Sequence, residues 1–295
     1  MRFSLSSLLT LAAAATAVVA HPSKRGLSLN PPKDFLREVK WEELAPAPIM
    51  PVTNSKRFAQ GLPPLRPRRR NPHGGVVHAR QGTRVASAPR SETSPVPPSS
   101  AKCHILVKIA ATGESLGYVS PNWNDFAEYG PLQNTQDGAL QVAFSYSSDS
   151  AKQLDLMVTN AKSAAYPFLG ASAGYGSSDE NIGSGNPNYL VLTGNTQIPP
   201  GSTPSYEAGN SFSEKTSIPV ASESAIWSYD TASGDFTAWW VNTDGSSAQG
   251  YILWSNQEDN DLFTMTGDPA IFKETYGVDS PEVTFTCVPP VTTPV

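Results

Sequence analysis

Runs of β-branched and aromatic residues recur through the C-terminal part of the chain, each closed by Gly, Pro, Asn, Asp or Ser: 105–110, 116–120, 140–147, 154–160, 189–194, 225–230, 236–242, 251–255, 262–267 and 283–288. Short apolar runs between turn residues are strand signals, and these predict about ten strands. Several links carry hairpin chemistry, as in Ala111-Thr112-Gly113-Glu114, Ala232-Ser233-Gly234-Asp235 and Thr243-Asp244-Gly245-Ser246, where Gly or Asp takes a positive φ at little cost. Helical periodicity is scarce. Residues 123–129 and 268–276 would make a turn or two, the second with Asp268 as cap and Pro269 at the first helical position. The pattern places the domain in the all-β class, as an antiparallel β-sandwich, with a β-trefoil or barrel as the runner-up; no threefold repeat favours the trefoil.

Residues 225–268 form the clearest unit, four runs with three short links, read as a meander carrying Trp227, Trp239, Trp240 and Trp254. Adjacent residues on a strand face opposite sides, so Trp239 and Trp240 cannot both be core. The outward ring is a candidate stacking platform for a sugar, with Trp254, Asn242, Asp244 and the Glu258, Asp259 and Asp261 loop near enough to add contacts. The competing reading is that these rings fill or cover the sheet.

The first hundred residues have a different character. Met1-Arg2 and an apolar or small run from Leu5 to Ala20 form a secretory signal with a cut expected after Ala20, and the run is too short and Ser/Thr-diluted to span a bilayer. No membrane association is expected of the mature form. Residues 21–102 hold 15 Lys and Arg against 5 Asp and Glu, a net of +10, and 14 of the 27 prolines. Residues 103–295 hold 5 against 21, a net of −16, within a formal −5 for the chain. The first stretch therefore reads as a basic, Pro-rich, disordered leader, residues 103–288 as one acidic domain, and 289–295 as a short tail.

Lys24-Arg25, Lys56-Arg57 and Arg68-Arg69-Arg70 lie among turn-forming residues, so a processing protease is the expected partner, cutting after Arg25, Arg57 and Arg70. From residue 103 onward there is no arginine and no lysine beside another basic residue, which leaves every dibasic site upstream of the domain. A nucleic-acid role is disfavoured because aromatic stacking partners are missing from the basic runs. Within the leader, Asp34 would cap a short helix through Phe35, Leu36, Val39, Trp41 and Leu44, between Pro32 and Pro46. With +10 facing −16, a second possibility is that the leader docks on the domain as an intramolecular partner before removal.

Cys103 and Cys287 are the only cysteines and frame the domain. In an oxidising compartment they should pair, closing a loop of about 185 residues with a stabilisation of roughly 5 kcal/mol at most. A Cys/His metal site with His104 lacks ligands, and no metal or other cofactor is expected.

Gly170-Ala171-Ser172-Ala173-Gly174 matches the G-x-S-x-G of a nucleophile elbow, but loop-forming residues follow where a helix is required, and the domain's only histidine, His104, lies upstream. His21, the N-terminus after signal removal, has no second imidazole held nearby for copper. The Asp259-Asn260-Asp261 and Asn242–Gly245 stretches do not match a calcium loop. No N-x-S/T sequon occurs. Linear sequence does not report the separation of paired carboxylates.

The leader stretch Asn54-Ser55-Lys56-Arg57-Phe58-Ala59-Gln60-Gly61-Leu62-Pro63-Pro64-Leu65-Arg66-Pro67-Arg68-Arg69-Arg70, with Gly117-Tyr118-Val119-Ser120 and Ala225-Ile226-Trp227-Ser228-Tyr229 in the domain, resembles a group of uncharacterised secreted proteins of mushroom-forming fungi. The resemblance implies a fungal secreted protein with a processed leader and carries across no activity or catalytic residue. The residues point to a secreted, non-enzymatic β-domain that binds a polysaccharide or cell-wall glycan after leader removal. The alternatives are a carboxylate-dependent glycoside hydrolase, with two acids about 5–10 Å apart in a cleft, and a precursor whose product is the leader-derived peptides.

Overall fold

The computed structural model describes residues 28–49, 99–146, 151–256 and 260–291. The processing positions Ala20, Arg25, Arg57 and Arg70, together with Glu258 and Asp259, lie outside the described residues.

The strands are β1 (Ser99–Ile109), β2 (Ser115–Val119), β3 (Leu132–Gln133), β4 (Gln141–Tyr146), β5 (Leu156–Val158), β6 (Phe168–Ala173), β7 (Tyr189–Asn195), β8 (Ser222–Glu223), β9 (Trp227–Tyr229), β10 (Asp235–Val241), β11 (Ser247–Ser255), β12 (Leu262–Thr266) and β13 (Glu282–Val288); the ten predicted runs supply all but β3, β6 and β8. The fold is all-β and antiparallel as expected, and the sheet closes on itself. The order β1-β4-β5-β6-β7-β12-β11-β10-β13 returns to β1 as a nine-strand barrel, with β2, β3, β8 and β9 added at its margins. The predicted meander is present as β9 to β12, each strand paired with the next. Its links turn at Gly234 and Gly245, both at positive φ, which a side chain would strain.

The closing seam is the β1–β13 ladder, His104↔Val288 through Ile109↔Val283. The disulfide Cys103–Cys287 lies on this seam, with its Cα atoms 5.4 Å apart. One covalent bond thus ties the first strand to the last at the place where the barrel closes.

The barrel interior is filled by Ile105, Val142, Leu169, Leu192, Phe236, Trp240 and their neighbours. At its centre Trp227 stacks on Phe285 with ring centres 5.9 Å apart and donates its indole N–H to the Leu169 carbonyl at 2.7 Å. An antiparallel barrel normally leaves its outer face to solvent. Here every residue of β6, β7 and β12 is buried, on both faces. The outer cover over Tyr189, Val191, Leu253 and Leu262 comes from Phe272 and Tyr276 of helix α2 (Pro269–Tyr276) and from Leu29. Helix α2 starts as its sequence predicts: Asp268 accepts from the Ile271 N–H, and Pro269 occupies the first turn. A second helix, α1 (Ser211–Thr216), was not predicted; Asn210 caps it through the Ser213 N–H.

Two expectations need correction. Residues 123–129 do not form a helical turn. They run as an irregular loop organised by Asn124, whose Oδ1 accepts from the N–H groups of Phe126 and Glu128. The loop then wedges between β7 and β12, where the Tyr129 N–H donates to Leu192 O and Tyr129 O accepts from the Phe263 N–H. The leader, expected to be disordered, is ordered over residues 28–49 and lies against the barrel. In place of one helix from Asp34 it makes two 3₁₀ turns, Lys33–Phe35 and Trp41–Glu43, with extended backbone at Leu36 and Leu44. A continuous helix would turn the Arg37 N–H inward, whereas here it donates to Lys215 O on the domain.

Because the disulfide straps the seam, intact mass after alkylation without reductant should show no modified cysteine. Reduction should lower the stability by roughly 2–5 kcal/mol, read as a drop in Tm. Two alkylated thiols before reduction would refute the bridge.

Candidate functional site

Strand β10 separates the two adjacent tryptophans by face. Trp240 points inward with Ala238 and Phe236, is 0 % exposed, and donates its indole N–H to Glu180 O at 2.7 Å. Trp239 points outward, half-buried, opposite Gln249 of β11. Trp254 lies on the inward-facing side of β11 with Ile252, packs at the edge of the core and donates to Gly130 O at 3.0 Å. Asn242 is engaged by the loop before β7, accepting from the Ile182 N–H at 3.0 Å and donating to Ile182 O at 3.1 Å. Asp244 sits exposed in the β10–β11 turn, where it accepts from the Ser246 hydroxyl and N–H and is thereby held below the usual carboxylate range. Trp239, Asn242 and Asp244 therefore share one end of the β10–β11 hairpin. Trp240 and Trp254 belong to the other face.

A second, more enclosed site was not visible in the sequence. It lies where residues 28–49 meet the barrel. Trp41 is buried edge-on against Trp123, with ring centres 4.8 Å apart, and against Tyr166 at 6.2 Å. Its carbonyl accepts from the Ser163 hydroxyl at 3.0 Å, and the Ala47 N–H donates to Ala164 O at 2.9 Å. Arg37 pairs with Glu214 on α1, and Lys33 pairs with Asp125 at the exposed rim. A cavity of about 360 Å³ remains beneath the segment, lined by Leu36, Trp41, Trp123, Asn124, Lys162 and Lys215. At the segment's start, Leu29 enters the apolar cover over β7, and its carbonyl accepts from the Tyr189 hydroxyl at 2.5 Å.

Next to Leu29, the buried Asn30 amide donates to Glu128 Oε2 at 2.9 Å. The same oxygen accepts from the Asn124 amide at 2.8 Å. Glu128 is 0 % exposed, and its backbone bridges Thr193 of β7. Burial pushes its carboxyl up to about 7, against the opposing pull of the two amide donors. The remaining oxygens, Glu128 Oε1 and Asn30 Oδ1, are both buried and have no hydrogen-bond partner among the described residues.

Two further acids are buried elsewhere. Glu223, on β8, is pushed by burial up to about 9, although its oxygens accept from the Val241 N–H. Asp155 is also raised by burial, while accepting from Ser224 and Gln197. Ser172, the serine of the G-x-S-x-G match, sits inside β6 and shares a hydrogen bond of 2.7 Å with the Thr193 hydroxyl. The flanking glycines serve packing: a Cβ on Gly170 would meet Glu223 O at 2.3 Å, and one on Gly174 the Tyr189 ring at 2.3 Å. His104 lines a separate cavity of about 520 Å³ with Gln136, Gln141 and Asn160, and its ring nitrogens meet Ala139 O and the Gln141 amide. Among the described residues no group of three His, Cys, Asp or Glu side chains could hold a metal ion.

No protein-family model, curated protein or solved structure matches this chain.

Two of the buried acids, Glu128 and Glu223, favour the fold at acid pH. Both Glu128 and Glu223 have folded values above their unfolded value near 4.5, so the stability they lend is complete below pH 4.5 and is lost as pH rises through about 7 and about 9 respectively. Thermal unfolding followed from pH 4 to pH 9.5 should show a declining Tm, with Glu223 alone contributing on the order of 5 kcal/mol across that window. Glu223→Gln, which keeps the shape and cannot ionise, should flatten the alkaline part of the decline; an unchanged profile would show that Glu223 is not the group responsible.

Proposed function

We propose that this chain is the precursor of a secreted, non-enzymatic binding domain whose groove is occupied by its own residues 28–49 until the leader is cut away. The observation that supports the reading is the seating of that segment. Leu29, Asn30 and Trp41 are buried, and backbone hydrogen bonds join positions 37 and 47 to the domain. Extended segments held by main-chain bonds, with buried side chains as anchors, are a recurring mode of peptide recognition. The segment's own net charge is close to zero, and its electrostatic support is local, from the pairs Arg37–Glu214 and Lys33–Asp125. Secretion agrees with the signal-like first 20 residues, with the disulfide, and with the finding that no helix among the described residues is long and apolar enough to cross a membrane.

Trp41 is the ring to test. In the full chain, Trp41→Ala should open residues 28–49 to limited proteolysis at least tenfold faster while the barrel stays resistant. Equal rates in the two proteins would remove the groove reading.

A glycan ligand is supported by a separate observation, the half-buried Trp239 ring on the outward face of β10. In a depletion assay against insoluble chitin, β-glucan, mannan and cellulose, the processed protein should be lost to one polymer, and Trp239→Ala should abolish that loss. Recovery of all the protein in the unbound fraction would leave the platform without a ligand. For a glycoside hydrolase the two most perturbed acids are poorly placed. Glu128 lies under Asn30, and Glu223 bonds to the strand end of β10.

A further inference from the structure

We propose that the Glu128 pocket is a receptor for a primary carboxamide carried on an extended peptide, filled in the precursor by Asn30 of the leader. This deepens, and rests on, the reading of the groove as a segment-binding site. The contact leaves one acceptor on each side chain unmatched. Asn30 has one amide N–H engaged with Glu128 Oε2, while its carbonyl Oδ1 and the other carboxyl oxygen, Oε1, are both buried and unpartnered. Two buried acceptors left this way are costly. A proton on Oε1 gives the carboxyl a donor beside its acceptor, as the amide already has, and an O–H offered to Oδ1 would satisfy both atoms. A carboxylic acid and a primary amide match as a donor–acceptor pair in both directions. A secondary amide, with N–H and C=O pointing oppositely, and a carboxylate side chain, with no donor, do not.

The surroundings favour the protonated acid. The groups packed around Glu128 supply no cation. Asn124 donates from the loop, and Tyr189 of β7 gives its hydroxyl to Leu29. Tyr276 of α2 stands against the Tyr189 ring and bonds Gly176 O, and Asp261 contributes its backbone carbonyl to Asn124. Burial already holds the carboxyl near 7. Above that value the carboxylate has no donor to offer the buried amide carbonyl, so the seat should lose its ligand as the medium turns alkaline. The ion pairs Lys33–Asp125 and Arg37–Glu214 lie outside the pocket, at exposed or half-exposed positions.

The test uses the full chain cut at Lys24-Arg25 and Lys56-Arg57, with retention of the released 26–57 peptide followed by gel filtration, and a labelled synthetic peptide of the same residues rebound by anisotropy. Affinity should fall tenfold or more from pH 5.5 to pH 8.5, with a midpoint near 7. Glu128→Gln should hold the peptide at both ends of the range, because an amide pairs with an amide without titrating and the rim ion pairs are unchanged. At pH 5.5, peptides carrying Asn30→Leu or Asn30→Asp should bind wild-type protein on the order of tenfold more weakly or worse; these arms decide the matter even if the Glu128 variant does not fold. Retention that ignores both Asn30 and pH would overturn the carboxamide receptor and leave the groove standing. A pH dependence that persists in Glu128→Gln would overturn it equally. No retention of the wild-type peptide at any pH would overturn the groove reading itself.

Discussion

The burial of β6, β7 and β12 on both faces is the constraint on which the rest of the structure depends. A closed antiparallel barrel satisfies its own backbone, and one face of each strand fills the interior. The outer face then needs cover wherever it is apolar. Tyr189, Val191, Leu253 and Leu262 make it apolar here, and two pieces distant in sequence answer: helix α2 and Leu29 of the N-terminal segment. The leader is therefore part of the fold's second layer and not only an attachment to it. The disulfide acts at the opposite side of the ring, where β1 meets β13, and keeps the barrel closed while the cover is assembled or removed.

The same arrangement explains where acids are tolerated. Covering a sheet with loops and a short helix leaves internal gaps between their backbones, and polar side chains fill them. Glu128 is carried into one such gap by the Asn124 turn, and Glu223 closes another at the end of β10. Neither meets a cation among its hydrogen-bond partners, and burial raises both above the usual carboxylate range.

Much of the fold was legible in the sequence because its signals are local. The strand runs, the positive-φ glycines of the hairpins and the Asp268-Pro269 start of α2 each depend on a few neighbouring residues. The opposed faces of Trp239 and Trp240 follow from the period of a strand, and the pairing of Cys103 with Cys287 from their number. Closure into a barrel was not legible, since it depends on β1 meeting β13 across nearly the whole domain. The cover was half legible. Tyr189–Asn195 reads as a continuous run with no polar alternation up to Thr193, which is the mark of a strand buried on both sides, but nothing in it names the covering residues. Glu128 was missed because a single acid between Ala127 and Tyr129 looks like the polar side of a helical turn. Asn30 and Trp41 were missed because their basic, Pro-rich surroundings have the composition of disorder, and composition does not register two buried anchors.

The positions of the dibasic pairs give the docked segment a particular thermodynamic character. Residues 28–49 lie wholly between Lys24-Arg25 and Lys56-Arg57. While the chain is intact, the segment meets its groove at an effective concentration set by the covalent connection. Even a weak contact is then occupied, and the cover over β7 is complete during folding. Cutting on both sides leaves every contact as it was and removes only the tether. Occupancy then depends on dilution and on the state of the Glu128 carboxyl. Under the proposed processing, a modest interface would be permanent in the intact chain and dispensable after cutting, provided that the barrel, closed by its disulfide, survives the loss of Leu29 from its second layer.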